Sequence, residues 1–115
     1  MYKFYYGEVL DESPKEQRDR ERTALERSIE LLQIAEKKGT TSPEAVEALH
    51  FVRRLWGIFL EDLAKPENGL PQKLRADLVS IGLWVMREAE DVRQGRVKDF
   101  KSLVEVSRTI AEGLR

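Results

Sequence analysis

His50 is the single histidine of the chain, and Glu47-Ala48-Leu49-His50 has the spacing at which one helical face offers a carboxylate and an imidazole to a metal. A dinuclear bundle site needs that step from two helices. Here only a symmetric dimer could complete it, and His50 otherwise reads as a surface or hydrogen-bonded side chain. A Ser-His-Asp arrangement would rest on the same residue, in the most apolar stretch of the sequence. Cysteine is absent, which removes thiolate metal sites, thiol nucleophiles, disulfides and iron–sulfur ligation. Acids cluster at Glu61-Asp62 and at Glu88, Glu90 and Asp91. Neighbours one apart on a helix diverge, so these groups read as solvated charge rather than a catalytic pair. No glycine-rich phosphate loop of the GxGxxG or Walker type is present. The residues point away from catalysis, and no cofactor or metal is expected.

Arg53-Arg54-Leu55-Trp56 joins two guanidinium groups to an indole, a set that could stack a single-stranded base or hold a phosphate. The overall charge speaks against nucleic acid: 20 Lys and Arg stand against 21 Asp and Glu, a net charge of -1 and a pI near 5.9, far from a basic balance. The other reading is a core Trp56 whose rim is covered by arginine stems. Direct RNA contact is disfavoured on these grounds.

These residues need elements to position them. At 115 residues the chain has the size of one compact domain. Its 41% hydrophobic and 36% charged residues describe one core under a heavily solvated exterior. No run approaches the roughly 20 apolar residues that cross a bilayer, and MYKFYYGEVL lacks the apolar stretch of a secretory signal. The expected location is the cytoplasm, with no membrane contact.

Apolar periodicity and punctuation predict four helices, at about 14–38, 43–64, 71–93 and 99–113. Ser13-Pro14 and Ser42-Pro43 are start signals, because serine accepts from a free first-turn amide and proline needs no partner for an amide it lacks. Gly39 closes the first helix. Lys65 to Pro71 makes a compact turn in which Asn68-Gly69 supplies left-handed backbone. Gln94-Gly95-Arg96 is the third turn, with Asp99 as cap. Gly82 sits inside the third helix, where glycine marks a close helix crossing rather than a break. Short connections force antiparallel neighbours, so the fold class is all-α, a small up-down four-helix bundle with an aromatic N-terminal segment over residues 1–12.

Three features exceed what that bundle needs. Tyr2, Phe4, Tyr5 and Tyr6 crowd four aromatics into the first six residues, either to fill the end of the bundle or to dock a partner. Lys15 to Thr23 has no apolar anchor and reads as a solvated face, with Lys15/Asp19, Glu16/Arg20 and Arg22/Glu26 four apart, or as a polar docking surface. The third helix is apolar around most of its girth, with Leu74, Leu78, Ile81 and Val85 on one line and Val79, Leu83 and Met86 on the next. Such a helix calls for partners on more than one side.

The run ALHFVRRLWGIFLEDLAKPENGLPQKLRADLVSIGLWV, from Ala48 to Val85, together with SRTIAEGL, from Ser107 to Leu114, closely resembles the FlaF family of flagellar biosynthesis regulators of alphaproteobacteria. The resemblance is carried by the RRLW block followed by Phe59, the PENGLP turn ahead of Leu74-Arg75, the IGLWV stretch, and Arg108, Ile110, Ala111, Gly113 and Leu114. It is less specific over the N-terminal third. The family pattern carries Asn just before the RRLW-like block and before the final IA-x-GL, where this chain has Val52 and Ser107-Arg108-Thr109. The resemblance implies a non-enzymatic factor for flagellin synthesis and secretion, with flagellin and the regulator FlbT as partners. One mechanism is that of an export chaperone holding a flagellin helix in an apolar groove. The alternative is a post-transcriptional regulator acting with FlbT on flagellin mRNA. Candidate partner-binding residues are Tyr5, Arg53, Arg54, Trp56, Phe59, Leu83 and Trp84, since aromatic anchors dominate contact energy. A homodimer is a further way to cover the spare apolar surface.

Overall fold

Four α-helices make up the computed structural model, which describes residues 13–114. They are α1 (Pro14–Lys38), α2 (Pro43–Leu63), α3 (Gln72–Arg93) and α4 (Lys101–Gly113). No strand occurs among the described residues.

Local chemistry sets the ends. At the start of α1 the Ser13 hydroxyl accepts from the Glu16 N–H at 3.2 Å, and the Glu16 carboxylate accepts from the Ser13 N–H at 3.1 Å. This reciprocal pair satisfies two amides that have no partner inside the helix. Bonding from the Ser13 backbone N–H, and then from the Ser13 side chain, holds the Glu16 carboxyl below its ordinary pKa. Asp19 bonds Arg22, three residues on, at 3.5 Å, instead of Lys15 one turn back. Gly39 ends α1 with φ 100° and ψ 154°, a conformation restricted to glycine. Its N–H reaches the Ala35 carbonyl at 2.8 Å. Ser42 then starts α2, accepting from the Ala45 N–H at 3.1 Å. In α4 the first helical residue is Lys101, two residues later than the periodicity predicts. There the Asp99 carboxylate accepts from the Lys101 N–H at 3.0 Å, a turn that holds Phe100 inward.

Each connection is short, so successive helices reverse direction. α1 packs against both α2 and α4, α2 packs against α3, and α3 meets α4 only slightly. The bundle measures 40 × 27 × 23 Å, its long dimension set by α1. Leu25, Leu32, Val52, Trp56, Val85, Val92, Phe100 and Leu103 form the fully enclosed centre. Ser28 and Ser107 are buried with them, and the Ser28 hydroxyl is satisfied by the Leu25 carbonyl at 2.6 Å. At one end the Phe100 N–H donates to the Glu36 carboxylate at 3.1 Å. That bond ties the start of α4 to the end of α1.

α2 and α3 approach closely at Gly82, as the sequence predicts for a crossing. A Cβ at that position would lie 2.7 Å from Leu60 Cδ2, 3.0 Å from Leu60 Cγ and 3.1 Å from Trp56 Cε3. The Leu60 tip can swing away, but the Trp56 ring is 2% exposed and held. A methyl group at Gly57, by contrast, would meet nothing within 4 Å. Two glycine-to-alanine changes in helix interiors should therefore have opposite signs. Gly57→Ala gains helix propensity, about 0.5–1 kcal/mol. Gly82→Ala gains the same propensity but incurs about 1–3 kcal/mol of overpacking, a net loss. Urea denaturation of both variants checks the pair, with Gly57→Ala moving the midpoint up and Gly82→Ala moving it down.

Candidate functional site

Helix lengths leave part of α3 uncovered. With a rise of about 1.5 Å per residue, the 22 residues of α3 span about 33 Å, whereas the 13 of α4 span about 20 Å. α4 begins where α3 ends, so it runs out before reaching the first turns of α3. The buried residues of α3 are Gly82, Val85, Ala89 and Val92, all in its second half. Leu74 and Leu78 continue that same face toward the N-terminus, yet Leu74 is 43% exposed and Leu78 is half-buried.

The other face of this half is also open. Ala76, Val79 and Leu83 follow one another at helical steps, with Leu83 53% exposed. Beside them an open groove of about 640 Å³ lies between the end of α2 and the start of α3. Leu63 and Ala64 line it from α2, Leu70 from the turn, and Arg75, Ala76 and Val79 from α3. The groove is apolar, and its one charged side chain is already engaged. Arg75 donates from Nε and Nη2 to the Leu63 carbonyl at 3.2 and 2.8 Å, and from Nη2 to the Lys65 carbonyl at 3.2 Å. A cation on the last carbonyls of a helix satisfies acceptors that the helix itself leaves open.

The turn between α2 and α3 is held by Asn68, by a route different from the one its sequence suggests. Its amide donates to the Asp62 carbonyl and carboxylate at 3.3 and 3.1 Å, and accepts from the Leu70 N–H at 3.1 Å. Among the described residues positive φ occurs only at Gly39 and Gly95, so the left-handed backbone expected at Asn68-Gly69 is not used. The side chain supplies the closure expected of the backbone.

The candidate residues separate. Trp56 lies in the core at 2% exposure, behind the groove wall and not on its surface. Its indole N–H has no acceptor among the described residues, so it stabilises through packing. Phe59 is half-buried and meets the Trp56 ring edge-on, centroids 5.3 Å apart at 86°. Trp84 is half-buried against the core, while Leu83, its neighbour, points away by one helical step and is exposed. Arg53 and Arg54 are exposed, and Arg53 reaches Glu90 at 3.4 Å. Tyr5 lies outside the described residues. His50 is exposed, and no group of three or more metal-ligating side chains is found among the described residues. Leu70 and Ala76 are exposed with Leu83, Val79 is half-buried beside them, and Leu74 is exposed on the other side of α3. Their only sequence signal is the apolar girth of α3.

Two of the acids of α3, Glu90 and Asp91, are paired at the surface. Glu90 accepts from Arg93 Nε at 2.9 Å, from Arg93 Nη2 at 2.5 Å, and from Gln94 and Arg53. The Arg93 and Gln94 bonds pull its carboxyl from the ordinary 4.5 to about 2. Asp91 accepts from Arg96 at 2.9 Å. Glu88 moves the other way, raised by burial and then by the like charges of Asp91 and Asp99.

Fold and surface together define a class: an all-α bundle with an open apolar face on one helix. The chain belongs to the family of flagellar protein FlaF, whose family model matches residues 2–114. No curated protein and no solved structure matches it. Val52, ahead of the Arg53-Arg54-Leu55-Trp56 block, is a core residue at 1% exposure. Thr109, ahead of Ile110-Ala111, is exposed and its hydroxyl donates to the Glu105 carbonyl at 3.0 Å.

Two predictions concern the polar ties. Arg75→Ala opens the α2 terminus and should cost on the order of 2 kcal/mol, the scale of a charge-assisted bond. Arg75→Lys should recover only part of it, because an ammonium lacks the planar fork that spans two carbonyls; thermal denaturation of the two variants measures the difference. Glu90 has a folded pKa below its unfolded one. Its contribution is thus present above about pH 4 and is lost as pH falls toward about 2. A carboxyl-detected NMR titration should place the Glu90 midpoint well below those of exposed glutamates, and Glu90→Gln should flatten the acid limb of the stability curve.

Proposed function

We propose that this flagellar protein is a non-enzymatic, cytoplasmic flagellin-binding factor that acts as an export chaperone. In this reading an amphipathic flagellin helix lies along the Ala76, Val79 and Leu83 face of α3 beside the end of α2, by helix-in-groove packing. The observation that carries it is the open apolar face of α3. An exposed contiguous apolar patch rimmed by polar residues is the mark of an interaction site. Membership of a flagellar family makes flagellin the natural ligand, and the net charge of -1 favours a protein partner over RNA. FlbT is the second proposed partner.

Calorimetric titration with flagellin, repeated at several temperatures, tests the reading, with FlbT titrated separately. A negative heat-capacity change is expected with flagellin, since the contact buries apolar surface. Leu83→Asp should weaken flagellin binding by tenfold or more, about 1.4 kcal/mol, while leaving stability within about 0.5 kcal/mol because the site is exposed. Trp56 is unsuitable as a probe, because its truncation removes core packing at about 3–5 kcal/mol. Absence of flagellin binding alongside clear binding of FlbT would overturn the chaperone reading and favour the post-transcriptional one, in which the protein acts with FlbT on flagellin mRNA.

A further inference from the structure

The uncovered core-facing side of α3 is a different surface from the flagellin groove. Leu74 and Leu78 point along the face that Val85, Ala89 and Val92 bury further on. They lie past the end of α4, whose last apolar side chains, Ile110 and Leu114, are half-buried. From the lengths of α3 and α4 the gap is about 13 Å long. α1 does run past this level, but there it offers Lys15 to Thr23, a stretch with no apolar side chain. The fourth side of the bundle is missing at this end.

We propose that residues 1–12 of the same chain occupy this gap, laying their aromatic side chains over Leu74, Leu78 and Leu114. Three observations select this occupant. Helix α1 begins at the open end, because α1 and α3 each reverse against α2, so the residues before Ser13 enter the structure beside the gap. Twelve residues extended reach about 40 Å, several times the length to be covered. The segment also has the composition that the gap lacks: Tyr2, Phe4, Tyr5, Tyr6, Val9 and Leu10 among its first ten residues. An unpartnered apolar face and an apolar segment tethered next to it meet at the high effective concentration of an intramolecular contact. The tether places the segment ahead of any partner in trans for this face.

The chain has no cysteine, so Lys3→Cys gives a single attachment point for a nitroxide and leaves every aromatic in place. Paramagnetic broadening in the spin-labelled, isotopically labelled full chain is expected for the methyl groups of Leu74, Leu78 and Leu114. The signals of Val46 and Val97, at the opposite end, should survive. Adding Leu74→Glu should restore the Leu78 signal, whereas Leu83→Asp on the other face should leave it broadened. Uniform weak broadening, or release by Leu83→Asp, would overturn the proposal. So would broadening that appears when isotopically labelled chain without nitroxide is mixed with spin-labelled chain, since the occupant is then a second copy. Flagellin is absent throughout, so failure here leaves the flagellin-binding proposal standing, and the reverse holds too.

Discussion

The absence of a side chain at Gly82 lets α3 settle against α2 at a distance that a Cβ could share only if Leu60 and Trp56 moved. Trp56 and Leu60 occupy the space a Cβ would need, and Phe59 braces the indole from its edge. Because Trp56 is also enclosed by the central core, this crossing couples the α2–α3 pair to the rest of the bundle. It fixes which face of α3 turns inward along its whole length. The inward face is then buried where α1, α2 and α4 surround it and open where α4 has ended. Burial along α3 is therefore governed by one crossing and one difference in length.

The two ends of the bundle are held by polar ties that use little apolar surface. At one end Asn68 and Arg75 satisfy the carbonyls that α2 leaves open. At the other, Glu90 gathers Arg93, Gln94 and Arg53, Asp91 takes Arg96, and Glu36 receives the Phe100 N–H. Single exposed ion pairs contribute little to stability, but bonds to otherwise unpaired backbone groups prevent a real loss. The exposed leucines of α3 thus sit on a helix anchored at both termini and at its middle. A surface presented on a fixed scaffold loses less freedom when it binds.

Much of this is legible in residue types. The Ser-Pro starts, the Gly39 stop and the Gly82 crossing each follow from a local rule that needs no tertiary information. The left-handed turn expected at Asn68-Gly69 does not form because Asn has two ways to close a turn, and its amide finds Asp62 before its backbone has to invert. The bonds of Glu90 are hidden for a different reason: Arg53 lies 37 residues away, a pairing set by which faces of α2 and α3 meet. Leu74 and Leu83 show what periodicity cannot settle. It assigns both to apolar lines correctly, but Leu74 is exposed because the neighbouring helix stops short of it, and Leu83 because its line faces away from the buried side of α3. The first cause is present in the predicted lengths of the third and fourth helices. Trp56 has the chemistry of a binding anchor, and the same size and apolarity place it in the core.

The open surface also constrains what can bind it. Arg75 is the one charge lining the α2–α3 groove, and its donors are committed to Leu63 and Lys65 carbonyls. Withdrawing it to meet a ligand carboxylate would uncap α2, so the groove offers shape and apolar area with no free charge to read. An occupant is then selected by the spacing of its apolar side chains along one face and not by its sign of charge. A helix with anchors three and four residues apart meets that demand, matching Ala76, Val79 and Leu83 step for step. A single-stranded nucleic acid does not, because its backbone charge would face a wall whose one cation, Arg75, is engaged by the carbonyls of Leu63 and Lys65. The arginines that could neutralise it, Arg53 and Arg54, lie elsewhere on α2, and Arg53 is held by Glu90.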